Sequence, residues 1–408
     1  MIRGQVGRSA CAVVAIAAAL GSEASLAFLD EEALGKSEGY PICSSLIAPE
    51  MRCLVGMVSR RDEVYAHRIV ARPARARELK RAASEPAIRI DYGQYSGTLD
   101  DYLARNRTTG LLLLKGDTIL VERYQYDRTP AHRMTSFSLA KTVVGMLVGI
   151  ALADGSIKSL DDPAQNYVVE LAGTPYGQTP IRHLLTMSSG VRLDASDGST
   201  DDVTLMARAI VGDRDGGVAT VMPYRMRAHP PGQKFTYSSG DSQVLGLVLR
   251  AATGRPLADY LAERLWKPMG AESDASWMID KAGFETGWSG INATLRDYGR
   301  FGVLLAQDGV VDGRRILPAG WVKAATTPSG RQFEPGHSGA GLYGYGYQTW
   351  LLPGKERQFV LLGRRGQAIF VDPKSKLVLV HTAADGGSGP SGDLLALWFS
   401  VTRLLAKP

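Results

Sequence analysis

The stretch Met134–Gly155, MTSFSLAKTVVGMLVGIALADG, most restricts what this chain can become. From Val143 to Leu152 it is apolar on every helical face, so a helix formed there must be buried all round. Thr135 and Ser136 are suited to cap its start, and Ala153-Asp154-Gly155 to end it, with glycine free to take positive φ. Such a helix has no ordinary use for a lysine in its first turn, yet Ser138-Leu139-Ala140-Lys141 puts one there. Positions i and i+3 share a helix face, so the Ser138 hydroxyl and the Lys141 amine can meet. Burial and the positive end of the helix both favour a neutral amine able to accept a proton. Unpaired N–H groups in the first turn suit a developing oxyanion. The pattern is that of an activated serine nucleophile. A capping serine followed by a surface lysine spells the same four letters; the apolar flanks weigh toward chemistry.

The chain has 408 residues, 45% of them apolar and 22% charged, enough for one large domain or two ordinary ones. Met1 to Ala27 is set apart. Arg3 and Arg8 precede a short run of small apolar residues, Ala10 to Leu20, and Ser25-Leu26-Ala27 has small residues at cleavage-site positions. This is the pattern of a secretory signal peptide, with an uncleaved anchor as the alternative, and it predicts a periplasmic or secreted protein. Export leaves Cys43 and Cys53 as the remaining thiols, and an oxidising compartment would join them. The six histidines are scattered without ligand spacing, so no metal and no other cofactor is expected.

The formal charge of +6 is local: residues 52–81 hold nine Lys and Arg against three acids. Arg72-Pro73-Ala74-Arg75-Ala76-Arg77 reads as a solvated arm or a wrapping segment. Contact with a membrane or cell-wall surface is one use for it, a plain solvated face the other. No nucleic-acid module is present in the pattern. Residues 28–87 are read as an N-terminal extension carrying this basic arm, and 88–408 as the compact domain that contains Ser138. Strands are expected early (Gly110–Leu114 and Thr118–Glu122 as a hairpin) and late (Tyr345–Leu352, Gln358–Leu362, Gln367–Val371, Leu377–Thr382), with helices between. That order predicts an α+β fold in which one antiparallel sheet draws strands from both ends and packs against a helical subdomain.

Pro231 to Gly240, PGQKFTYSSG, sets Tyr237 in a turn ahead of an apolar helix. A tyrosine beside a lysine and a serine can shuttle protons, because a nearby ammonium favours phenolate. By itself an ordinary turn tyrosine explains it. No G-x-S-x-G elbow occurs, which argues against an α/β-hydrolase.

Ser138-x-x-Lys141, then Tyr237-Ser238-Ser239, then a Gly-rich late strand resembles the serine β-lactamase and penicillin-binding-protein superfamily. The order and spacing are most similar to class C β-lactamases and their esterase and amidase relatives. His183 to Gly190, Gly290 to Thr294 and Tyr345-Gly346-Tyr347 extend the likeness. Two departures stand out. Where class C enzymes have Tyr-x-Asn this chain has Ser239 in third place. Where they have Lys-Thr-Gly it has Gly363-Arg364-Arg365-Gly366-Gln367, a form similar to 6-aminohexanoate-dimer hydrolases. The resemblance implies a β-lactamase/transpeptidase-like fold, with Ser138 as nucleophile and Lys141 and Tyr237 moving its proton. It implies an oxyanion donor at the Arg364 N–H, with Arg365, Gly366 and Ser239 beside the substrate and Arg365 facing a substrate carboxylate. An exported hydrolase of small-molecule esters or amides is expected. The alternatives are a D-alanyl-D-alanine carboxypeptidase or β-lactamase, and a non-catalytic protein binding cell-wall or acyl ligands in the same cleft.

Overall fold

The computed structural model describes residues 30–43, 49–193, 202–212, 215–386 and 391–405; the leader read at 1–27 lies outside them. Apolar runs from both ends of the chain build one eight-stranded sheet. Its order is Gly344–Tyr345, Trp350–Leu351, Phe359–Gly363, Gln367–Asp372, Leu377–Ala383, Thr108–Lys115, Thr118–Tyr124 and Lys80–Arg81. Neighbours are antiparallel except Lys80–Arg81, which runs parallel to Thr118–Tyr124. Successive side chains point to opposite faces. Leu112 and Leu114 therefore enter the core shared with the serine helix, Leu139–Ala153, and the helix Leu295–Ala306. Leu111 and Leu113 pack with Leu397 and Trp398 of the C-terminal helix, Gly392–Leu405. Both faces are covered, so the middle strands are apolar without alternation. The α+β arrangement expected from the sequence is the one adopted.

The serine helix is buried from Leu139 to Ala151. It packs against Ser239–Thr253 and Trp321–Ala325. Gly149 permits the second contact: a Cβ there would lie 2.3 Å from the Trp321 ring. Trp321 Nε1 donates to the Gly145 carbonyl at 3.1 Å one turn earlier, which fixes the indole in place.

A second sheet of four short antiparallel strands runs in the order His67–Val70, Ala275–Met278, Ile291–Thr294 and Arg133–Thr135. Strands of three or four residues are too short to show periodicity, so the sequence gives no sign of this sheet. It carries the chain directly into the serine helix. Residues ahead of Ile88 join both sheets, through His67–Val70 and Lys80–Arg81. The Arg72–Arg77 run wraps the body: Arg72 N donates to Asp274 at 2.8 Å, Arg77 reaches Met269 O and Asp117, and Arg300 donates to Arg77 O. Cys43 and Cys53 form a disulfide with Cα atoms 5.7 Å apart.

The single strand expected over Tyr345–Leu352 is instead two short strands joined by a turn. Gly346 N donates to Thr349 O at 2.8 Å, and Gln348 stands at φ 52°. Gln348 is drawn into the core, where Oε1 accepts from Ser242 Oγ (2.6 Å) and Nε2 donates to Leu184 O (2.8 Å). Satisfying a buried amide outweighs strand propensity here.

His381, inside the large sheet, pins three elements. Nδ1 meets the Gly366 carbonyl at 2.7 Å, so it carries the proton, and Nε2 accepts from Thr108 Oγ1 (2.9 Å) and Tyr102 Oη (3.1 Å). Burial pushes its imidazole from the usual 6.5 down to about 4.

Two outcomes are expected. Gly149→Ala forces a methyl into the Trp321 ring and should cost about 1–3 kcal/mol by urea unfolding; an unchanged midpoint would show that this contact is not tight. His381 should stay neutral in a ¹⁵N NMR titration until the pH approaches about 4. Its folded-state value lies below its unfolded one, so its contribution to stability is present above pH 6.5 and lost as pH falls toward 4. Titration of the ring near 6.5 would contradict the hydrogen-bond assignment.

Candidate active site

The turn that carries Ser138 is held before the helix begins. Ser136 N donates to Ile291 O at 2.7 Å, Ser136 Oγ accepts from Ile291 N at 3.1 Å and donates to Phe137 O at 3.0 Å. Tyr298 Oη donates to Met134 O at 2.8 Å. Fixed this way, Phe137 takes φ 43°. That left-handed conformation costs an aromatic residue about 1–3 kcal/mol and is sustained only by surrounding contacts. The strained step delivers Ser138, half-buried, to the cleft at the N-cap position of the serine helix. The expected caps Thr135 and Ser136 belong to the strand and the turn instead. The Ser138 side chain caps no helical N–H, which leaves Oγ to Lys141.

Lys141 is 1% exposed. Its Nζ lies 3.3 Å from Ser138 Oγ, 3.1 Å from Ser239 Oγ and 3.1 Å from the Trp288 carbonyl. The Trp288 carbonyl can only accept, and the Ser239 hydroxyl can accept as well. A neutral amine donating to both would present its lone pair toward Ser138. Tyr237 lies on the same side: Lys141 Nζ is 5.2 Å from its ring centre. The Tyr237 ring is stacked on Trp350 at 5.0 Å and meets Tyr345 edge-on at 6.2 Å, so an aromatic wall sets its orientation. Lys234, the lysine adjacent in sequence, is exposed. The lysine that faces Tyr237 is Lys141, about a hundred residues away in the chain.

The turn carrying Tyr237 is anchored from below. Ser238 caps Ser239–Thr253, its Oγ accepting from Asp241 N at 3.1 Å. Asp241 in turn accepts from Ser189 Oγ at 2.8 Å, and burial pushes its carboxyl up to about 7. This contact explains why the His183–Gly190 stretch belongs with the site. Ser239 is 1% exposed. Its hydroxyl therefore holds the Lys141 amine, where the sequence reading set it beside substrate.

Gly363 brings the late turn against the turn that carries Ser138: a Cβ on it would lie 2.3 Å from Ser136 O. Among the described residues no backbone carbonyl takes up the N–H of Ser138 or of Arg364. Arg365 stands at φ 62° and its Nη1 donates to Asp385 O at 3.2 Å. Of the two arginines in the late turn, Arg364 lines the cleft together with Ser138, while Arg365 does not. Gly366, at φ 82°, gives its carbonyl to His381. Its part is to shape the turn.

The cleft over Ser138 is open to solvent and has Phe137, Ala207, Ile210, Met278 and Trp288 as apolar walls. Three site residues went unread in the sequence: Trp288, Trp350 and Arg61, which also lines the cleft. Trp288 lies two residues ahead of the Gly290–Thr294 stretch that carries resemblance, which was the available signal. Among the described residues no group of three His, Cys, Asp or Glu side chains is arranged to hold a metal, and no helix is long and apolar enough to cross a membrane.

Residues 97–397 match the family model described as Beta-lactamase. The chain is 29% identical over 316 residues to a 6-aminohexanoate-dimer hydrolase of Paenarthrobacter ureafaciens, covering 74% of this chain and 79% of that one. A solved structure from Bacillus anthracis, provisionally named for the same hydrolase, superposes with a TM-score of 0.76 at 24% identity, over 87% of this chain and 94% of that one. The octameric penicillin-binding protein homologue of Pyrococcus abyssi shares the fold at a TM-score of 0.57 and 17% identity, over 76% of each chain. With three-quarters of its length inside the family model, the chain belongs to the Beta-lactamase family and is a serine hydrolase of the β-lactamase fold.

Proposed function

We propose that the protein cleaves carboxylic ester or amide bonds through an acyl-enzyme on Ser138. The observation that carries this reading is the buried Lys141 amine set 3.3 Å from Ser138 Oγ, with Ser239 and Trp288 as its other partners. Ser138 Oγ attacks the scissile carbonyl while its proton passes to the Lys141–Tyr237 pair. The oxyanion forms beside the N–H groups of Ser138 and Arg364. Collapse of the tetrahedral species breaks the bond to the leaving group, which takes the proton. Water, deprotonated by the same pair, then attacks the acyl carbonyl and releases the acid and free Ser138.

The protein is proposed to act in the periplasm or outside the cell. The leader pattern at 1–27 and the Cys43–Cys53 bond support this, since disulfides persist in oxidising compartments. Purified exported protein should begin near Phe28; an intact Met1 would contradict cleavage. Five basic residues of the N-terminal arm are already paired with acids: Arg52, Arg60, Arg68, Arg77 and Arg81. A solvated, internally paired face is therefore the reading we favour over a membrane or cell-wall contact.

Ser138→Ala should abolish acylation and turnover of a short p-nitrophenyl ester. Lys141→Ala and Tyr237→Phe should each lower kcat by roughly 10²- to 10⁴-fold, the usual scale for losing a positioned acid–base group. Because the two act as a unit, the double variant should be little worse than the poorer single one. Near-normal activity in Ser138→Ala would remove the nucleophile assignment; a silent Tyr237→Phe would leave the proton transfer to Lys141.

Specificity follows from the two departures. Ser239 is spent on Lys141 and offers no amide to a β-lactam side chain, and the late turn lacks the usual lysine. Cephalosporin turnover should be poor beside ester hydrolysis. A kcat/KM for a cephalosporin above that for a short p-nitrophenyl ester would identify a β-lactamase instead.

A further inference from the structure

Arg61 is the outlier of the basic N-terminal segment. It is 4% exposed, and its Nε is buried with no hydrogen-bond partner among the described residues. Its sequence neighbours are committed elsewhere. Arg60 pairs with Glu63, at 2.6 and 2.8 Å. Asp62 pairs with Arg133 at 2.7 Å and accepts from Ser276 at 2.9 Å, which fastens the segment to the small sheet. No described carboxylate forms an ion pair with Arg61, and Arg364 and Arg365 act on it with charge of its own sign. Burial lowers its pKa to about 10, with a smaller push from those two arginines, and it remains a cation at neutral pH.

A dehydrated guanidinium without an anion costs several kcal/mol. The aromatic faces under it recover part of that: its Cζ lies 5.0 Å from the Phe137 ring centre and 5.9 Å from that of Tyr65. Such contacts contribute about 0.5–2 kcal/mol each and leave the buried Nε–H donor unsatisfied. Arg61 also lines the same cleft as Ser138 and Arg364, and Phe137 joins it to the nucleophile in sequence and space. A fixed, partly desolvated guanidinium matches a carboxylate in both charge and fork geometry.

We propose that Arg61, with Arg364, forms a carboxylate subsite that holds the anionic end of the substrate while the apolar cleft walls accommodate a spacer to the scissile carbonyl. The inference rests on the serine-hydrolase reading and narrows its substrate class to esters or amides bearing a carboxylate. Arg61 precedes the 97–397 stretch matched by the family model, so this specificity element lies outside that stretch. It also moves the carboxylate contact from Arg365, as the sequence suggested, to the two arginines on the cleft.

The test compares charged and neutral substrates of equal length. On the acyl side these are the mono-p-nitrophenyl ester of adipic acid and its methyl-capped diester. On the leaving side they are N-acetyl-δ-aminovalerate and N-acetylpentylamine. Arg61→Met should lower the charged-to-neutral ratio of kcat/KM by roughly 10- to 100-fold, the scale of a lost hydrogen bond to a charged group, chiefly through KM. Arg61→Lys should restore part of the ratio. A change confined to one pair assigns the carboxylate to that side of the scissile bond. An unchanged ratio in both pairs overturns the subsite. Binding provides a readout independent of turnover: adipate should bind Ser138→Ala by calorimetry and fail to bind Ser138→Ala/Arg61→Met. Equal binding to both, or none to Ser138→Ala, also overturns it. Failure of the wild-type protein to hydrolyse even the neutral ester would count against the hydrolase reading and leave the calorimetric test intact.

Discussion

The structure is organised by the burial of one lysine. A helix apolar on all sides must be enclosed, and enclosing it takes Lys141 out of water with it. That is tolerable because its amine finds a hydroxyl from each of two segments and a carbonyl from a third. Those partners come from residues 138, 239 and 288, so the small sheet, the serine helix and the Ser239–Thr253 helix must all be in register for the site to exist. Fold and chemistry are here one requirement.

The strain at Phe137 belongs to the same arrangement. A left-handed aromatic residue persists because the Ser136 and Tyr298 hydrogen bonds over-determine the turn. The large sheet contributes the facing turn, where Gly363 admits close approach and His381 holds the Gly366 carbonyl. In the mechanism we propose, the N–H groups of Ser138 and Arg364 act as preorganised donors there, which need no rearrangement when charge develops.

Much of this was legible in the sequence, for physical reasons that differ by element. Ser138 and Lys141 are three positions apart in the chain and about one helical turn in space, so local periodicity reveals them. The large sheet was legible because long apolar runs, such as Leu111 to Leu114, show themselves without partners. The small sheet was not, since its strands are too short for alternation. The turn at 346–349 was hidden because what breaks the strand is a set of buried hydrogen bonds between the Gln348 amide and distant residues. Ser239 was legible as a departure and illegible as a role: its contact with Lys141 spans nearly a hundred positions. Arg61 lay in a charge run that composition alone makes look solvated, and only the packing of Phe137 over it shows that one of those charges is buried.

Trapping the acyl-enzyme tests the central claim most directly. The protein would be mixed with a slowly hydrolysed ester, acid-quenched, and its intact mass and peptide map recorded. The account predicts one acyl group per chain, carried by the peptide that contains Ser138 and absent from Ser138→Ala. Turnover of the ester without a covalent adduct, or an adduct on a different residue, would contradict it.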